Sequence, residues 1–175
     1  IVAASEAALD ETLAWLEREA IFVRRGSNDQ KLRAAHGDSW GTRRMTTGGI
    51  VAARFRHRTS RAGDPLLHWH CLVANMAEGS DGKWSAIVHP DLFRNAKSAG
   101  EIFQATFRAE LTASLGVEWV PGRHVHEIAG VPRRIVEMFS KRSDEIEAWL
   151  AATGTPATAA GRQAAVLATR RNKPE

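Results

Sequence analysis

Tyrosine is absent from all 175 residues, which removes every phenolic nucleophile before any motif is considered. Cysteine is nearly absent: Cys71 stands alone, so no internal disulfide can form and nothing points to an oxidising compartment. A cytoplasmic location is the resulting expectation. No apolar run approaches the roughly 20 residues that a membrane-spanning helix needs, and the first residues lack the charged-then-apolar pattern of a secretory leader. There is no Gly-x-x-x-x-Gly-Lys-Ser/Thr phosphate loop, so ATP-driven helicase activity is not expected of this chain. No internal repeat is visible.

What is present suffices for one ordinary domain, since 43% of the residues are hydrophobic. The charge is modest, with 24 Lys+Arg against 20 Asp+Glu for a net +4, but Arg greatly outnumbers Lys. Planar guanidinium groups bond two phosphate oxygens at once, so this bias suits a nucleic-acid partner as well as ordinary solubility. The chain opens at Ile1, without methionine, directly into a helical pattern, as if cut from something longer.

Ser5 is placed to cap a helix carrying Leu9, Leu13, Leu16 and Ala20 and ending near Arg24-Arg25-Gly26. From Ser27 to Gly49 the chain is polar and unperiodic, with the Arg43-Arg44 pair, and reads as a mobile loop or an irregular strand pair. Ile50–Arg58 and Leu66–Met76 alternate like half-exposed strands, and Gly63, Asp64 and Pro65 supply a turn that pairs them antiparallel. Lys83–Val88, after the Gly79–Gly82 turn, is expected to continue the meander. Phe103, Phe107, Leu111 and Leu115 mark a helix from about Asn95 to Gly116. Val117–Val131 breaks into short strands, and Pro132 opens a helix whose stripe of Ile135, Phe139, Arg142, Ile146 and Trp149 runs to Gly154. Ala151–Gly161 reads as a hinge, followed by an Ala-rich helix and the basic tail Arg170, Arg171, Lys173. The expected fold is α/β (α+β), a central antiparallel sheet flanked by helices.

The segment with most chemical content is Phe55–His70. In a strand, His68 and His70 share a face with Trp69 on the other, so two imidazoles can converge on one ion. His57, near the end of the preceding strand, can complete a three-histidine face with positions left open for substrate. A bare His-x-His pair is equally an ordinary surface feature: His124 and His126 form one between Gly and Pro breaks and read as solvated, as do the isolated His36 and His89. Cys71, facing away with Trp69, reads as a small core residue.

The run from Gly48 to Asn75 (Gly-Gly-Ile-Val-Ala-Ala-Arg-Phe-Arg-His-Arg-Thr-Ser-Arg, then Asp-Pro-Leu-Leu-His-Trp-His, then Val-Ala-Asn) resembles the TrwC/TraI-type conjugative relaxases. Ala96–Gly100, Arg108–Leu111, Gly130–Arg133 and the tail Ala165–Arg171 are similar to that family as well. The resemblance implies that His57, His68 and His70 hold a divalent ion under a scissile phosphate of single-stranded DNA at an origin of transfer. It implies transesterification: a tyrosine oxygen attacks the phosphate, releasing a 3′ hydroxyl and leaving a 5′ phosphotyrosine. Ligand softness favours Mn, Ni or Zn, whereas the family implies Mg or Mn. The family's tyrosines and an assisting aspartate precede anything present here, so no catalytic residue is assigned, and Trp69 stands where a small polar residue is usual. Residues 1–152 then read as the C-terminal part of a relaxase domain. Residues 153–175 read as a hinge and tail toward a downstream helicase region, with a tyrosine-bearing portion expected upstream.

Arg54, Arg56, Arg58 and Arg61 are the candidate DNA contacts around the ion, with Asn75 and Lys97 as lesser ones. Trp40 and Trp84 are candidates for stacking on bases, with core packing the preferred role for Trp84, while Trp15, Trp119 and Trp149 are assigned to the core. The alternative functional reading is a single-stranded DNA-binding remnant without chemistry. A third, a metal hydrolase activating water on the same histidines, lacks a carboxylate base in the motif.

Overall fold

The computed structural model describes residues 1–26, 43–122 and 125–170, and among them no helix is long and apolar enough to cross a membrane. The expectations for His36, Trp40, His124, Arg171 and Lys173 lie outside the described residues. Helices and antiparallel strand pairs are mixed along the chain, as expected. The described strands pair two by two, and isolated bridges tie the β-pairs of the first unit to each other. Contacts divide the chain into two units, 1–54 with 71–117 and 55–70 with 118–175.

In the first unit, helix α1 (Val2–Glu19) buries Ala4, Ser5, Ala8, Leu9 and Thr12 on one face. Ser5 is therefore not the cap expected of it. It lies inside the helix and its hydroxyl donates to the Val2 carbonyl at 2.7 Å, because the small-residue face that must be buried already begins at Ala4. That face packs on the later helix α3 (Ala96–Leu115), which runs from Asn95 to a left-handed Gly116 (φ 65°), as its pattern requires. Phe103 and Phe107 stack one turn apart at 6.0 Å, and Leu111 is buried, whereas Leu115 is 58% exposed and falls off the stripe. A short helix α2 (His89–Arg94), opened by Pro90, precedes α3 and has no counterpart in the apolar pattern of the sequence.

The first helix also ends earlier than its sequence pattern suggests, and Phe22–Arg25 becomes strand β1, paired antiparallel with β2 (Arg43–Thr46). Ile21 and Val23, two residues apart, are almost fully buried, which is the strand period and not the helical one. With Ala77 and Ile87 they form the core of this unit, against which Met45, Ile50, Val73 and Leu92 pack. The pairing sets Arg24 opposite Arg44 and Arg25 opposite Arg43, a like-charge arrangement that would be unfavourable alone. Acidic partners offset it: Arg44 reaches Asp91 at 2.9 Å and lies over the Phe22 ring, and Arg25 forms a bidentate pair with Asp81 at 2.7 and 2.8 Å. Arg25 also donates to the Ser85 hydroxyl and to the Lys83 and Arg24 carbonyls.

Asp81 belongs to the turn between β5 (Ala77–Glu78) and β6 (Trp84–Ser85), a separate hairpin and not a continuation of the preceding one. Its ties run to the first pair, through the bridges Val23 to Ile87 and Thr47 to Gly79. Trp84, for which core packing is preferred over base stacking on sequence, is 51% exposed on this short strand, where it pairs with exposed Glu78.

In the second unit, β7 (Trp119–Pro121) pairs with β8 (His126–Ile128), and His126 is exposed, as its solvated reading requires. The helical pattern after Pro132 divides in two, α4 (Arg133–Met138) and α5 (Lys141–Thr153), with the break at Phe139 and Ser140. Helix α6 (Ala159–Ala168) is capped by Thr158, whose hydroxyl accepts from the Gly161 amide at 3.1 Å, and it packs on α5. Arg142 is a polar clamp and not a stripe residue: it donates to Glu145 and to the Val166 and Thr169 carbonyls at the C-terminal end of α6, the end that favours a cation.

The Arg25–Asp81 cluster leaves no room at Gly79, where a Cβ would lie 2.7 Å from Arg25 Nη2 and 2.8 Å from Asp81 Oδ1. Gly79→Ala should therefore destabilise the protein by about 1–3 kcal/mol through overpacking, read as a lower denaturant midpoint. Arg25 holds the Asp81 carboxyl well below its ordinary value of 3.8, so this pair's contribution is complete at neutral pH and disappears in acid. Asp81→Asn should lower the melting temperature at neutral pH, with the deficit shrinking as the pH falls below the ordinary carboxylate range. A deficit that persists unchanged in strong acid would remove the pair as its cause.

Candidate metal centre

Strand β3 (Ala52–Thr59) and strand β4 (Pro65–Val73) are joined by a tight turn in which the Ser60 amide donates to the Asp64 carbonyl at 2.8 Å and that of Gly63 to the Ser60 carbonyl at 3.1 Å. A connection this short can join only antiparallel neighbours. The tip of the hairpin, from Phe55 to His70, belongs to the second unit and carries all three candidate ligands.

Side-chain alternation puts His68 and His70 on one face of β4, and the pairing brings His57 of β3 onto the same face. The three rings pack mutually, with centroids 5.2 Å apart for His57–His68, 4.8 Å for His57–His70 and 5.1 Å for His68–His70. One ring nitrogen of each lies within 4.8 Å of the others; His57 and His68 are partly buried and His70 is exposed. An ion about 2.1 Å from each nitrogen sets tetrahedral nitrogen separations of roughly 3.4 Å, which small ring rotations reach from here. His68 is already oriented for this. Its Nδ1 lies 3.0 Å from the Leu66 carbonyl, and because a carbonyl can only accept, Nδ1 carries the hydrogen and Nε2 presents its lone pair. The cluster contains no carboxylate, so any cation held there keeps its full charge.

The same alternation sends Arg54, Arg56 and Arg58 to the opposite face, so these three do not surround the histidines. Their partners agree: Arg54 pairs with Asp10 of α1, and the Arg56 guanidinium lies 5.8 Å from the Trp69 ring centroid. Cys71 shares that back face, away from the histidines, and burial raises its thiol pKa. Arg61 lies in the turn, partly buried; Asn75 and Lys97 are exposed, Asn75 beyond the end of β4 and Lys97 in the first turn of α3.

Sequence reasoning treated Asp64 only as a turn former. It is 3% exposed, and its carboxylate accepts from the Arg142 backbone amide at 3.4 Å and from the Ser60 hydroxyl at 3.5 Å. An acidic residue just before Pro65 was the available signal, but its burial depends on α5, far away in sequence.

The chain superimposes on conjugative relaxase TrwC in complex with oriT DNA, in a metal-bound structure, with TM-score 0.85, 30% identity, 99% of this chain and 57% of that chain covered. A metal-free complex gives TM-score 0.85 at 30% identity, covering 99% of this chain and 58% of the other. The chain belongs to the TrwC relaxase family, whose family model matches residues 1–175. It is also similar to the multifunctional conjugation protein TraI of Escherichia coli, 37% identical over 140 residues, which are 74% of this chain and 8% of TraI. The chain thus spans a small fraction of the curated relatives it matches and somewhat over half of the solved ones.

The Leu66 contact makes a spectroscopic prediction. Long-range proton–nitrogen correlation spectra of the metal-free protein should show His68 as the Nδ1–H tautomer, and an Nε2–H signal would mean that the Leu66 carbonyl does not orient the ring.

Proposed function

We propose that this chain is the metal-bearing part of a conjugative DNA relaxase, acting on single-stranded DNA at an origin of transfer by tyrosine transesterification in the cytoplasm. The observation that carries this reading is the convergence of His57, His68 and His70 on one face of a hairpin tip. The solved TrwC complexes with oriT DNA, with and without metal, support it by analogy. Since the chain has no tyrosine, its phenolic oxygen must come from other polypeptide, and the chain alone is inactive in nicking. The division at residue 152 is part of the same reading, with the Gly154–Thr158 break separating α5 from the segment that leads outward.

The three imidazoles would hold the divalent cation, and it supplies positive charge that polarises the phosphate oxygens and offsets charge built up in the transition state. His57 and His68, partly buried, fix the site against the hairpin, while exposed His70 leaves one side open to a phosphate. His68, oriented by the Leu66 carbonyl, offers its lone pair without a tautomer change. Mn or Mg is the expected occupant from the family, with Zn or Ni favoured by ligand softness.

Arg54, Arg56, Arg58 and Arg61 remain the proposed DNA contacts, but on the back face and turn of the hairpin, where they act on the strand independently of the ion. That placement favours the second reading, a single-stranded DNA-binding remnant, as far as affinity is concerned.

His68→Ala should weaken Mn(II) binding by more than the roughly 10–100-fold that loss of an outer-shell partner costs, with an unchanged circular dichroism spectrum. Unchanged affinity would refute the site. Single-stranded DNA binding should survive chelation and fall with salt, and each phosphate-contacting arginine replaced by Ala should reduce the log–log salt slope by about 0.7. A slope unmoved by all four substitutions would place the DNA elsewhere.

A further inference from the structure

A lone pair of strands is marginal in water, and among the described residues β3 and β4 pair only with each other. Register is the vulnerable property of such a hairpin. A slip by one residue turns a strand's side chains to the other face, which would carry His57 away from His68 and His70. Something must hold the turn.

The side chain placed to do so is that of Asp64. Helix α5 begins after Ser140, which does not cap it; the Ser140 hydroxyl donates to the Val136 carbonyl at 2.6 Å instead. The Arg142 amide, one of the first-turn donors that an N-cap side chain normally satisfies, points to Asp64 Oδ2 at 3.4 Å. The cap thus comes from the hairpin, 78 residues earlier in the chain. A carboxylate is favoured there by the helix dipole, and its other oxygen, Oδ1, is buried, without a hydrogen bond, 3.8 Å from Lys141 Nζ. The Asp64 carboxylate is also tied back into its own turn, because Ser60 Oγ lies 3.5 Å from Oδ2 and accepts from the Asp64 amide at 3.1 Å. A slip is disfavoured because it would cost this buried carboxylate the Arg142 amide and its place beside Lys141. Arg142 extends the same tie to the end of α6 through Thr169 and Val166.

We propose that Asp64 is a positioning residue for the histidine face: by capping α5 from the hairpin turn it fixes the register in which His57 meets His68 and His70. This rests on the metal-site reading above, and the test separates the two. Mn(II) affinity is measured by titration on the whole chain, together with nuclear Overhauser contacts among the three imidazoles in the metal-free protein. Asp64→Asn keeps the side-chain outline and removes the charge. It should raise the Kd for Mn(II) by about 10–100-fold and weaken the ring contacts at temperatures where circular dichroism shows it folded. Asp64→Glu, which keeps the charge but displaces it by one methylene, should fall between wild type and Asn, and it replaces the Asn variant if that fails to fold. A variant that melts earlier yet keeps wild-type metal affinity and ring contacts overturns the proposal and leaves Asp64 a stability residue only. If wild type binds no Mn(II), the metal reading falls; the ring contacts alone then decide, their loss in Asp64→Asn supporting the positioning role and their retention ending it.

Discussion

Antiparallel pairing with a two-residue side-chain period is the constraint on which the candidate site depends. It does two things at once. It gathers His57, His68 and His70 onto one face within 4.8 Å of each other, and it excludes Arg54, Arg56 and Arg58 from that face. The geometry needs no long-range fold to specify which residues face together. What it does need is a fixed register, and a hairpin turn of five residues, Ser60 to Asp64, sets that register only if the turn itself is held. The burial of Asp64 therefore matters more than its two long hydrogen bonds suggest, because a charge at 3% exposure is much costlier to misplace than to seat.

The first unit solves a comparable problem with arginine in place of aspartate. Two arginine pairs face each other across β1 and β2, a local arrangement that opposes pairing. Arg25 turns this into a tie by spending its donors on Asp81, Ser85 and two carbonyls, which joins β1 to the following hairpin. Gly79 is small because this cluster approaches it closely. In each unit one side chain from one element satisfies backbone or charge demands of another, and neither tie can be inferred from the residues adjacent to it.

That distinction explains what the sequence made legible. The 96–115 helix could be read because its stripe and its terminating Gly116 are both local, and the hairpin could be read because alternation and the Gly63-Asp64-Pro65 turn are local too. The three histidines followed from the hairpin. Ser5 was misread because a serine before an apolar run looks like a cap whether or not an alanine face begins one residue earlier. Phe22–Arg25 was absorbed into the first helix, although Ile21-Phe22-Val23 is a β-branched and aromatic run and the alternating burial of Ile21 and Val23 fits a strand. The break at Phe139 and Ser140 left no trace because the apolar spacing continues through it. The arginines were associated with the ion by proximity in sequence, when the same alternation argument that grouped the histidines should have separated them.

The separation of histidines from arginines has a consequence for how such a hairpin can work. A phosphate approaching the histidine face meets neutral ligands and whatever cation they hold, so attraction there depends on the cation. The back face carries guanidinium groups whose charge is permanent, two of them steadied by Asp10 and Trp69. Affinity for a polyanion and local polarisation of one phosphate can then vary independently, since neutralising one face leaves the other's charge in place. A mixed face with arginines among the histidines would behave differently: their charge would repel the cation, and each would compete for the same phosphate oxygens. The strand period prevents that competition at no cost in chain length, which is a physical reason for setting His57 between Arg56 and Arg58 along β3.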